Sequence, residues 1–413
     1  MKILKKYKSL VIAAVMLAAT VPVELTTPTY ASEATQLDAN LEDMIFNALM
    51  AGDTTIDLSN FNINIDDIDE FAKQYRTLLF DELQLFHVIG DISYSYNSRT
   101  GKLVTLTPYY DEVLQENYDH YYNLLNNEVN KIVELTHEGA TNLDKMLILN
   151  DYLATNYEYD TTLEISDSAR LVSTGKGICQ AYTNLAKLVL NELGIANVSV
   201  ESYDINHTWN MVEYEGEWYN IDFTWADPTP NMIGHSDHSN FMISNERKME
   251  QNEDTYKNLI DDWTDTVPKA TNTQFEDRFT LTSSPFVFSG GQAYYMDTTA
   301  GSINTINTAT GETTVINEVL SEVVWPAGEG YYWLNNFTGF DGSGDYLYYN
   351  TPTQIMAYSI SDDTSEVLAE LELADDEMLL NFSIKNNELT YVTGTDPTKK
   401  SDFTSATMEI DLF

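Results

Sequence analysis

One cysteine, Cys179, stands in a chain of 413 residues, so no disulfide can close within the chain and the fold must be held by burial of apolar surface. The chain is long enough for that. At about 150 residues per domain its length predicts two or three domains, and 43 % of its residues are hydrophobic. A solitary thiol also excludes a thiolate metal cluster built from this chain alone. In an oxidising environment one exposed thiol is a liability without evident structural return, which makes Cys179 a candidate for reactivity rather than packing.

Export is what the first residues suggest. Lys2, Lys5, Lys6 and Lys8 make a basic start, residues 10–20 an apolar stretch too short to span a bilayer comfortably, and Thr29-Tyr30-Ala31 a small-residue cleavage pattern. Residues 1–31 therefore read as a signal peptide cleaved near Ala31. The protein is expected to be secreted, with no integral membrane segment in the mature chain. Lys plus Arg number 21 against 65 Asp plus Glu, a net charge of −44, and loss of the leader removes four lysines but one glutamate. Such a surface repels phosphate backbones, so a nucleic-acid partner is not expected.

Local patterning divides the mature chain into regions. Residues 32–125 form an acidic α+β region, with a helical pattern over 41–50 and strand alternation over 91–96 and 102–107. Asn62-Ile-Asn-Ile-Asp-Asp-Ile-Asp69 lacks the glycine and the terminal glutamate of a calcium loop and reads as a turn into a helix. A central segment spans 126–249 and includes a helix opening on Thr141 and Asp144 at capping-box spacing. Residues 250–274, rich in Asp, Asn, Thr and Lys, read as an exposed linker. Residues 275–413 read as a β-rich repeat domain. Tyr294-Tyr295 and Tyr348-Tyr349 are 54 residues apart, as are Ile306 and Ile360, a blade-like period with too few units for a closed propeller.

Chemistry concentrates between 175 and 228. Gly175-Lys-Gly-Ile-Cys179 precedes a helix whose apolar positions Ala181, Leu185, Leu188, Val189 and Leu193 recur at helical spacing until Gly194. Cys179 thus sits at the opening turn, where free amides and the macrodipole favour a thiolate. Three strands come next, Asn197-Val-Ser-Val-Glu-Ser-Tyr203, His207-Thr-Trp-Asn-Met-Val-Glu-Tyr214 and Glu217-Trp-Tyr-Asn-Ile-Asp222, the last two joined by Glu215-Gly216. A two-residue turn sets Tyr214 opposite Glu217 and makes His207 the diagonal neighbour of Asp222 on one face. A register shifted by one residue would separate them.

Cys179, His207 and Asp222 come in that order on a helix followed by strands. This order resembles the transglutaminase-like branch of papain-type cysteine enzymes. The stretches that carry the resemblance are Tyr159-Asp160, Gly177-Ile-Cys179-Gln-Ala-Tyr182, Leu193-Gly194-Ile195, His207-Thr-Trp-Asn210, Trp218-Tyr-Asn-Ile-Asp222-Phe-Thr-Trp225 with Asp227-Pro228, and His238-Ser-Asn-Phe-Met-Ile-Ser244. Ala181 and Thr208 depart from it, standing where Gly and Ala are expected; both are small. The resemblance implies an α+β fold with a transglutaminase-like catalytic domain over 126–249. It also implies Cys179 as nucleophile, His207 as general base and acid, and Asp222 as its orienting partner. The reaction would be acyl transfer from a protein or peptide amide, through a thioester, to water or to a lysine amine. Gln180, Trp209 and Trp225 are candidates for oxyanion donation or for walls of a substrate cleft. No cofactor and no metal are expected: His235-Ser-Asp-His238 lacks ligand spacing, and no phosphate-binding glycine loop follows a strand. The competing reading is an inactive extracellular binding module that uses the same fold and the tyrosine-rich repeats.

Overall fold

Thr141 and Asp144 close the reciprocal capping box that their spacing predicts, each accepting a hydrogen bond from the other's backbone N–H. The computed structural model describes residues 39–202, 204–255, 267–328, 330–334, 336–374 and 376–412. The expected signal peptide lies outside the described residues.

The N-terminal region runs α1 (Ala39–Ala51), β1 (Ile56–Asp57), α2 (Ile68–Asp81), β2 (Val88–Asn97) and β3 (Lys102–Tyr110), with sheet order β1-β3-β2. Its helices bury Leu49, Tyr75 and Leu78 against Leu103 and Leu106 of the sheet in a cluster of its own. Helices α3 (Glu112–Glu116), α4 (Tyr118–Thr136) and α5 (Asn142–Asn156) come next. Strand β4 (Glu158–Tyr159), α6 (Ser168–Thr174), β5 (Lys176–Gly177) and α7 (Cys179–Glu192) complete the helical layer, with β4 and β5 paired in parallel. An antiparallel sheet then runs in chain order: β6 (Asn197–Ser202), β7 (His207–Tyr214), β8 (Glu217–Ile221) and β9 (Phe241–Ile243), with α8 (Asn245–Thr255) after it. One face of the sheet packs on α7. Thr183 Oγ1 donates to the Thr208 carbonyl at 3.1 Å and Asn210 Nδ2 to the Thr183 carbonyl at 3.2 Å, so α7 is tied to β7 by polar as well as apolar contacts.

Among the described residues the C-terminal part is built of β-strands apart from one 3₁₀ turn, Lys400–Asp402. Strands β10 (Val287–Ser289), β11 (Gln292–Asp297), β12 (Ser302–Ile306) and β13 (Thr313–Asn317) form one antiparallel meander. A short hairpin, β14 (Pro326–Gly328) with β15 (Tyr331–Tyr332), separates it from a second four-stranded meander, β16 (Phe340–Ser343), β17 (Tyr346–Asn350), β18 (Gln354–Ser359) and β19 (Thr364–Glu370). Three more strands, β20 (Met378–Lys385), β21 (Glu388–Gly394) and β22 (Thr404–Glu409), make the last sheet. The repeated tyrosine pairs fall on the second strand of each four-stranded meander. Initial strands neighbour one another, β10 beside β16 and β16 beside β20.

The stretch 250–274 differs from the exposed linker its composition suggests. Helix α8 reaches Thr255, and past the undescribed residues the chain returns to the sheet. The Ala270 carbonyl accepts from the Asn245 amide at 2.8 Å, and Gln274 Nε2 bonds Tyr219 Oη at 2.9 Å. Val267 and Ala270 cover Trp209 and Met211, and Phe275 and Phe279 enter the core that also holds Leu125, Tyr182 and Ile306. A few apolar anchors among polar neighbours therefore join the central core to the β-rich part, and polarity averaged over the segment hides them.

Candidate active site

Helix α6 ends at Gly175, whose φ of +77° is natural for glycine. The chain then makes the two-residue β5 and enters α7 at Cys179. Gly177 is required here for space. A Cβ at this position would lie 2.8 Å from Ala181 Cβ and 3.0 Å from Leu171 Cδ1. Gly177→Ala is therefore expected to cost about 1–3 kcal/mol in urea denaturation, and Ala181→Gly in the same chain to recover part of that loss. Ile178, the N-cap residue, is extended and has no side-chain acceptor for the amides of the first turn. Cys179 is half-buried.

The hairpin of β7 and β8 takes the two-residue turn. Glu215 and Gly216 have φ of +55° and +82°, Tyr214 faces Glu217 and Asn210 faces Ile221. Asp222 follows the last residue of β8, and its amide bonds the Asn240 carbonyl at 3.1 Å. This register brings His207 Nε2 to 2.7 Å from Asp222 Oδ2. The Cys179 side chain acts on the same imidazole and strengthens its hold on a proton. With Nε2 occupied by the carboxylate, Nδ1 is the ring atom left for the thiol. The three residues singled out by their order in the sequence thus meet in one place.

Electrostatics follow from burial and these contacts. Burial alone would weaken the hold of His207 on its proton. The Asp222 charge, the hydrogen bond to Asp222 and the Cys179 contact outweigh it, Lys248 opposes them, and the His207 pKa is pushed up to about 9. Burial likewise disfavours ionised Asp222, yet His207 and Lys248 together hold its carboxyl well below the usual carboxylate range.

Lys248 on α8 was not legible as part of this site. Its Nζ lies 2.5 Å from Asp222 Oδ2 and 3.1 Å from Asn240 Oδ1, and its side chain is wholly buried. In the sequence it sits within Asn245-Glu-Arg-Lys-Met-Glu-Gln, a strongly polar helix that suggests nothing but solvent exposure.

The three candidate cleft residues separate. Trp225 stacks on the His207 ring with centroids 5.1 Å apart and planes at 15°. Trp209 is 1 % exposed, stacks at 5.8 Å on the same ring, and spends its only donor on Asn220 Oδ1 at 2.9 Å, so it is not an oxyanion donor. Gln180 lines a different cleft, between the N-terminal region and α7, with Arg76, Phe86, His87, Arg170 and Asn184. Within His235-Ser-Asp-His238, His238 and Ser236 have other work. His238 Nε2 and Ser236 Oγ each lie 2.7 Å from Asp151 Oδ1, and Asp151 Oδ2 accepts from the Phe286 amide at 2.8 Å. This buried network ties α5 to the start of the β-rich part. Among the described residues no helix is long and apolar enough to cross a membrane.

Residues 130–223 match the family model described as the transglutaminase-like superfamily. No curated protein matches the chain significantly. Among solved structures, one described as a TGase is 16 % identical with a TM-score of 0.23, over 39 % of this chain and 49 % of its own. A candidate cysteine protease from Cytophaga hutchinsonii is 12 % identical with a TM-score of 0.22, over 35 % of this chain and 64 % of its own. The chain thus spans about half to two thirds of the length of these structures. The matched segment holds α5, the Cys179 turn, the strands bearing His207, and Asp222 itself: residues 130–223 are a transglutaminase-like core.

Proposed function

We propose that this protein is a cysteine-dependent acyl transferase of protein or peptide amides. The observation that carries the reading is the imidazole of His207, bonded to Asp222 through Nε2 and sharing one site with the Cys179 side chain at the start of α7. Asp222 fixes the tautomer, so Nδ1 takes the thiol proton and Sγ attacks a carboxamide carbon. The C–N bond breaks as His207 returns that proton to the departing nitrogen, leaving a thioester. Water or a lysine amine then attacks the thioester, His207 accepts its proton, and Sγ leaves. The amide of Cys179 at the uncapped start of α7 serves as one oxyanion donor. Trp225 lies flat on the imidazole and limits its rotation.

The leader pattern supports an exported protein, and the acidic surface favours lysine-bearing partners. Burial of the repeated tyrosines weighs against the binding-module reading, since Tyr294, Tyr295, Tyr348 and Tyr349 are 8 % exposed or less and pack in apolar cores, Tyr295 in the one shared with the central helices.

The test is incubation with a glutamine-bearing protein and a tagged primary amine. Tag incorporation establishes transfer, and release of ammonia or peptide without incorporation establishes hydrolysis. Absence of both across varied amide substrates counts against the enzyme. Turnover is expected to decline above about pH 9, where His207 loses the proton it must give to the leaving nitrogen.

A further inference from the structure

A lysine whose side chain is wholly buried has strong reason to be elsewhere, because its charge gives up hydration that few protein environments replace. Lys248 is placed against the same carboxylate oxygen that holds the imidazole. Asp222 Oδ2 receives His207 Nε2 at 2.7 Å and Lys248 Nζ at 2.5 Å, while Asp222 Oδ1 accepts the Trp225 amide at 3.1 Å. Asn240 Oδ1 accepts a second ammonium hydrogen at 3.1 Å. The Trp225 ring lies 3.7 Å from Nζ and the Trp209 ring 5.0 Å, so the cation and the imidazole contact the same two indoles.

We propose that Lys248 is a positioning residue of the site, whose ammonium shares the Asp222 carboxylate with His207 and limits the pull of that carboxylate on the imidazole proton. This rests on the acyl-transfer reading for its purpose but not for its measurement. The charged and titratable groups facing His207 are Asp222 at the end of β8, Lys248 on α8 and Cys179 on α7; those facing Lys248 are Asp222 and, across it, His207.

The consequence for the reaction is a matter of balance. His207 must take a proton from the thiol and surrender it to a departing nitrogen within one cycle. An unopposed buried carboxylate favours the first step and penalises the second. An ammonium on the same oxygen cancels part of that field while keeping the carboxylate ionised and aimed. The Lys248 and Asp222 charges compensate each other, so together they add no net charge to the buried site in which the proton moves between Cys179 and His207.

The test is a pH titration of the His207 ring carbon by NMR on the full chain labelled with 13C-histidine, the resonance assigned by its loss in His207→Gln. In Lys248→Met, which keeps the length and apolar bulk of the stem, the midpoint is expected to rise by about one pH unit relative to the native chain. The alkaline limb of kcat/KM is expected to move with it. A folded Lys248→Met chain with an unchanged or lowered midpoint overturns the proposal and leaves Lys248 as packing. If that variant does not fold, the 15N shift of Lys248 Nζ in the native chain gives the answer. An inflection at the titration midpoint of His207 shows that the two groups sense each other, and its absence overturns the proposal. Because neither titration needs turnover, a native chain with no acyl-transfer activity would sink the enzyme reading while leaving this one measurable.

Discussion

Cys179→Ala is expected to abolish amide turnover, a loss of about 10⁴- to 10⁶-fold in kcat, while leaving the fold intact. The side chain is half-buried at the first turn of α7, alanine is the better helix former, and the atom removed is small. Far-UV circular dichroism and the thermal midpoint should therefore match the native chain. His207→Gln should be about as severe, because the imidazole both accepts the thiol proton and delivers it. It should also slow alkylation of Cys179 by iodoacetamide near neutral pH. The double variant should be little worse than either single one, since the two groups act as a unit and removing either disables both. Turnover that survived in Cys179→Ala would move the chemistry away from this site altogether.

The sequence carried the local geometry around that thiol with unusual completeness, and for identifiable reasons. Cys179 could be placed on the first turn of a helix because apolar spacing, Gly175 and Gly194 mark both ends. The pairing of His207 with Asp222 could be derived because a two-residue Glu215-Gly216 turn permits one register, and a slip would have turned one partner away. Both are short-range features. Lys248 and Asn240 come from beyond β8, and their approach depends on how α8 and the chain around β9 pack across the sheet, which no local pattern encodes. The same limit explains the supposed linker. Val267 and Ala270 sit among polar residues, so composition reads exposure where tertiary contact makes a cover for Trp209. Gln180, though adjacent to Cys179 in sequence, lines the cleft against the N-terminal region, because successive side chains on a helix point about 100° apart.

Asp222→Leu is expected to be the most destabilising change in the site, by about 3–5 kcal/mol. The carboxylate is wholly buried, and removing it leaves the ammonium of Lys248 with Asn240 Oδ1 and two ring faces but no counter-charge. Urea denaturation at pH 7 measures the deficit. Its pH dependence identifies the cause. Burial already draws the Lys248 pKa below the ordinary lysine value despite Asp222, and without Asp222 the folded chain holds that proton more weakly still. The unfolded chain then binds more protons than the folded one across the alkaline range, so stability rises with pH and the deficit shrinks toward about pH 10.4, where a free lysine also deprotonates. A cavity or a lost packing contact would show no such recovery, and the part of it that continues above about pH 9, where the native chain has already lost the His207–Asp222 contribution, belongs to Lys248. Adding Lys248→Met to Asp222→Leu should restore most of the stability at pH 7, since an apolar pair can fill the space of a buried ion pair without its desolvation cost. It should not restore turnover, because His207 would still lack the acceptor that fixes its tautomer, a defect that alone costs on the order of 10⁴-fold in a hydrolytic triad. Stability regained with activity still absent would separate the two duties of Asp222, and a double variant as unstable as the single one would show that the buried charge of Lys248 is not what the carboxylate holds in check.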